Sequence, residues 1–67
     1  MKFKIYRYEK NCSIRYDKEF DSPNQETAEF FTLLESRLLT EGQAVRLYKL
    51  IPAIPQNDRV LIMEILR

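Results

Sequence analysis

Thr40-Glu41-Gly42-Gln43-Ala44-Val45-Arg46-Leu47-Tyr48-Lys49-Leu50-Ile51-Pro52 is the stretch on which the fold class turns. Thr40 followed by Gln43 is a capping-box pattern, in which two side chains satisfy N–H groups left without partners where a helix starts. Ala44, Leu47, Tyr48 and Ile51 then recur at helical spacing, and Pro52 stops the run. Read this way, the stretch is a short helix. The chain is then α+β: an N-terminal antiparallel β-hairpin packed against two or three short α-helices.

Working back toward the N-terminus, Ser22-Pro23-Asn24-Gln25 carries a second capping-box pattern, with proline at the first helical position. Thr27, Phe30, Phe31, Leu34 and Leu38 fall within one arc of a helical wheel, about 100° wide. They predict a first helix that ends near Leu39 and turns this stripe to the core. Leu33 sits off the stripe, and Val45 and Leu50 flank the stripe of the second helix. A core this small has difficulty enclosing all of them, which predicts either coverage on several sides or an apolar patch for a partner.

Before the helix, Lys2-Phe3-Lys4-Ile5-Tyr6-Arg7-Tyr8-Glu9 alternates with period two. Phe3 and Ile5 point one way, and Lys4, Tyr6 and Tyr8 the other. From Cys12 to Phe20 the alternation continues, with Cys12, Ile14, Tyr16 and Phe20 on one face and Lys18 as the exception. Lys10-Asn11 is the expected hairpin turn, because asparagine tolerates a positive φ. Beyond the second helix, Pro52-Ala53-Ile54-Pro55 reads as a stiff extended connector. In the last segment, residues 58–67, Val60-Leu61-Ile62-Met63 is apolar without a period. The polar lead-in Gln56-Asn57-Asp58 favours a third helix, and the β-branched residues favour a C-terminal strand; helix is the preferred reading.

Composition narrows the rest. The 67 residues, 45% apolar and 31% charged, fit one globular domain spanning 1–67. Cys12 stands alone and histidine is absent, so neither an intrachain disulfide nor a Cys/His zinc site can support the fold. Tight packing and self-association are the remaining supports, which leaves a homodimer open. With no long apolar run and no apolar leader segment, no membrane contact and a cytoplasmic location are expected. The net charge is +1, but residues 1–20 hold six basic groups against three acidic ones.

These observations set the functional expectations. No P-loop, dinucleotide turn or nucleophile–base motif is present, so neither an enzyme nor a cofactor is expected. Cys12 alternates with Ile14 and Tyr16 as a buried thiol would. Asp17, Glu19 and Asp21 share a strand face and could meet a hard cation, but the solvated face of a strand is the simpler account, and no metal is expected. Lys4, Tyr6, Arg7, Tyr8 and Arg15 mix cations with rings, and with Leu33 they are the candidate partner-binding residues. The leading expectation is a small protein-binding regulator, an inhibitor or adaptor that occludes a surface on a larger protein. The alternative is a nucleic-acid-binding module, in which the cations meet phosphates and the rings stack on bases.

Overall fold

The computed structural model describes residues 1–9, 14–51 and 59–67. It contains four strands and one helix: β1 (Lys2–Glu9), β2 (Ile14–Asp21), α1 (Gln25–Ser36), β3 (Gln43–Leu50) and β4 (Arg59–Leu66). The strands form one antiparallel sheet in the order β2-β1-β3-β4. Because β1 runs antiparallel to both neighbours, β2 and β3 are mutually parallel. The chain therefore leaves β2 through α1, passes β1 and returns as β3.

This corrects the expectation of a hairpin with two or three helices. The segment read as a second helix is β3, paired with β1 on one side and β4 on the other. The capping-box residues do make the side-chain bond expected of them, since the Thr40 N–H donates to Gln43 Oε1 at 2.8 Å. Here, however, it closes a turn. The Gln43 N–H donates to the Thr40 carbonyl at 3.0 Å, and Gly42 takes φ +86°, a left-handed backbone that a helix cannot continue. The last segment is also a strand, the reading its β-branched residues favoured. The expected turn at Lys10-Asn11, Cys12 and the connector from Pro52 to Pro55 lie outside the described residues, as does the side chain of Arg15.

The first helix exists, but it starts later and faces another way. Asn24 is its cap, accepting from the Thr27 N–H at 2.8 Å. Ser22 is buried at the end of β2, where its backbone exchanges hydrogen bonds with Met1. The helix turns Ala28 and Thr32, both 0% exposed, toward the sheet. Phe3, Ile5, Val45 and Leu47 already supply bulk from β1 and β3, so the residues meeting them from the helix must be small for the layers to close. Phe20, Ile62, Met63 and Ile65 complete the core along the outer strands, and Leu39 closes it after the helix.

Of the expected core stripe, Thr27 is half-buried and the four large residues are out in solvent. Phe30, Phe31, Leu34 and Leu38 are 58%, 48%, 39% and 64% exposed. Phe31 keeps one tie to the core, an edge-on contact with Phe20 at 5.9 Å. The face of the sheet opposite the helix carries no covering element among the described residues.

Candidate interaction face

The uncovered face is built by strand alternation. Phe3 and Ile5 of β1 point into the core, so Lys2, Lys4, Tyr6 and Tyr8 stand on the other side. Register carries the pattern across the sheet, because residues paired across neighbouring strands share a face. Tyr6 lies opposite Arg46 and Lys4 opposite Tyr48 on β3. Glu64 lies opposite Arg46 and Arg59 opposite Leu50. Ile62 has no register partner between Leu61 and Met63, so β4 bulges there. That extra residue lets both Arg59 and Glu64 reach the open face despite their odd spacing.

At the centre, Tyr6 and Tyr48 meet edge to face, with ring centroids 5.4 Å apart and planes at 88°. The Arg59 guanidinium lies 5.1 Å from the Tyr6 centroid and 4.6 Å from that of Tyr48, and it donates to the Tyr6 hydroxyl at 2.5 Å. Lys4 approaches Tyr6 from the β2 side at 5.4 Å and pairs with Asp17 at 3.7 Å. Lys4, Tyr6, Leu50 and Arg59 line a depression of about 280 Å³ on this face.

A second cluster adjoins the first. Arg46 lies over the Tyr8 ring at 4.7 Å and is ion-paired with Glu64. The Tyr8 hydroxyl donates to the same carboxylate at 2.5 Å. Hydrogen bonds from Tyr8 and then Arg46 hold the Glu64 carboxyl below its usual range. Burial, followed by the bond to Glu64, pushes the Tyr8 phenol up. At Lys4, burial opposes the charge, but the Tyr6 hydroxyl and the carboxylates of Asp17 and Glu19 outweigh it and raise the ammonium pKa.

Among the described residues, this face is balanced in charge. By register, Lys2, Lys4, Arg46 and Arg59 share it with Asp21, Glu19, Asp17 and Glu64. The three acidic residues of β2 stand across from cations and tyrosine. Among the described residues, no three histidine, cysteine, aspartate or glutamate side chains converge to hold a metal ion. Nor is any described helix long and apolar enough to cross a membrane.

Of the residues singled out from sequence, Lys4, Tyr6 and Tyr8 come together on this face. Arg7 does not: it points to the helix side, 3.2 Å from Glu35 and 5.5 Å from the Tyr16 ring centroid. Leu33 lies on the outer surface of α1. Sequence reasoning missed Arg46, Tyr48, Arg59 and Glu64. The spacing of Arg46 and Tyr48 repeats that of Tyr6 and Tyr8, a signal available only once 43–50 is read as a strand. No protein-family model matches the chain, and neither curated proteins nor solved structures give a significant match.

Proposed function

We propose that this chain is a protein-binding module that docks the open face of its sheet on another protein and acts by covering the surface it docks on. One observation carries this reading: Tyr6, Tyr48 and Arg59 are already locked together at the centre of an exposed, charge-balanced face. Tyrosine and arginine dominate the energetics of protein interfaces, because each combines a large contact area with directional hydrogen bonding. Held against one another on a rigid sheet, they lose little side-chain freedom when a partner arrives. The surrounding Lys–Asp and Arg–Glu pairs suit a polar rim that sets orientation and discourages wrong partners.

The rings on both central strands also favour a second reading, binding of single-stranded nucleic acid. Against it stand the four carboxylates on the same face and the cations already seated on the rings. The two readings separate in one experiment. Tagged wild-type chain and the variants Tyr48→Ala and Arg59→Ala are used to capture partners from the native host, with nuclease treatment as a parallel arm. Both substitutions are on the exposed face, and circular dichroism checks that the fold is intact. A defined protein retained by wild type, lost with both variants and indifferent to nuclease supports the proposal. Retention by both folded variants would overturn it. Tight binding of oligonucleotides that weakens steeply with salt, with no protein captured, would transfer the face to the nucleic-acid reading.

A further inference from the structure

The outer surface of α1 carries a pattern that none of the contacts above uses. Glu26, Phe30 and Leu33 of α1, with Arg37, the C-cap that continues its αR backbone, are spaced i, i+4, i+7 and i+11, and so form one line along the helix and its end. All four are exposed, with Phe30 and Leu33 at 58% and 49%. Leu34 flanks the line and is 39% exposed. Among the described residues, neither Glu26 nor Arg37 has an ion-pair partner within its own chain.

The line is complementary to itself when reversed. Turning a second copy end for end about the midpoint between Phe31 and Thr32 sets Phe30 against the second copy's Leu33. The same operation sets Glu26 against the second copy's Arg37, and two-fold symmetry repeats both contacts. The seam then has four large apolar side chains at its centre and one opposite-charge pair at each end. Parallel pairing of the same line would instead place Glu26 beside Glu26 and Arg37 beside Arg37. We infer that α1 is a homodimerisation surface, with two copies packed antiparallel through Phe30 and Leu33 and their register set by reciprocal Glu26–Arg37 pairs. An isologous contact of this kind closes on itself as a dimer. It also covers apolar surface that a domain of 67 residues cannot enclose internally. The dimer would lie on the helix side of the sheet and leave both open faces accessible, so the inference stands independently of what those faces bind.

Sedimentation equilibrium of the full chain from about 1 µM to about 1 mM tests this. The expected result is a reversible doubling of the 8.1 kDa mass. Because a twelve-residue helix presents a small contact area, dissociation is expected in the range of tens of micromolar, about that of a weak interface. Leu33→Asp should leave a folded monomer at every concentration. Glu26→Arg and Arg37→Glu should each weaken the dimer about tenfold, since each turns two attractive pairs into two repulsive ones. The double variant Glu26→Arg/Arg37→Glu should recover association to within a few-fold of wild type. A wild-type chain that stays monomeric at about 1 mM would overturn the inference and leave the surface to a different protein. So would a dimer that ignores the single reversals, or one that the double reversal fails to restore.

Discussion

Glu64 accepts from the Tyr8 hydroxyl and pairs with Arg46, so one carboxylate ties β1, β3 and β4 together on the open face. Its depressed pKa has a defined consequence for stability. A carboxyl held below its unfolded value stabilises the fold above the ordinary carboxylate range and stops doing so as pH falls through the depressed value. The raised Tyr8 phenol works at the other end: its contribution is present below the ordinary phenol value and is lost as pH rises through the raised one. The cluster is therefore at full strength between mildly acidic and mildly alkaline pH. Replacing Glu64 with Gln should cost about 0.5–1 kcal/mol at pH 7, the modest amount expected of a water-screened pair. That difference should shrink as pH falls through the depressed pKa, where the wild-type carboxyl becomes protonated too. Urea titrations of both proteins at pH 7 and at successively lower pH check this, and a pH-independent gap would contradict the assignment.

At the scale of the elements, the turn from Thr40 to Gln43 sets how the chain enters β3. It allowed two readings, and the sign of one substitution separates them. Open space surrounds the position a Cβ would take on Gly42, so an added methyl meets nothing. Only the backbone responds, and at φ +86° an L-residue is strained. Gly42→Ala should therefore destabilise by about 1 kcal/mol, whereas in the first turn of a helix the same change would stabilise by about that amount. Thermal melts decide the sign. The helical reading of 43–50 had a physical cause. β3 is an inner strand that packs Val45 and Leu47 against α1 and carries Arg46 and Tyr48 on the open face. That open side also holds Ala44 and Leu50, so apolar residues stand on both faces and the alternation that marks β1 is blurred. Val45 and Leu47 against Arg46 and Tyr48 keep a trace of it, while Ala44, Leu47, Tyr48 and Ile51 fit helical spacing equally well.

Taken as a whole, the protein rests on a thin core, which sharpens the contrast between positions that look alike in sequence. Leu47 is 0% exposed between Ile5 and Met63 in register, while Leu38 is 64% exposed. Leu47→Ala should cost about 2–5 kcal/mol, as a buried leucine does. A chain of this length holds only about 3–10 kcal/mol in total, so most of that variant should be unfolded or close to unfolding at 37 °C. Leu38→Ala should cost less than about 0.5 kcal/mol at micromolar concentration, although the helical wheel ranks it with the core. Chemical denaturation of the two variants side by side measures the difference. Comparable losses would mean that the stripe on α1 is part of the core.

Local pattern alone was enough for β1, for the way its side chains divide between two faces, and for the existence of α1, because a period of two or of 3.6 is written into neighbouring residues. Of the open face it reached Lys4, Tyr6 and Tyr8. Arg46, Tyr48, Arg59 and Glu64, and the direction in which α1 faces, came from contacts between residues distant in the chain. Arg59 meets Tyr6 across 53 positions, and α1 turns Ala28 and Thr32 inward because Phe3 and Leu47 already fill the space beneath it. Periodicity records which residues of a segment share a side; which neighbour that side meets depends on the volumes and register of the strands packed against it.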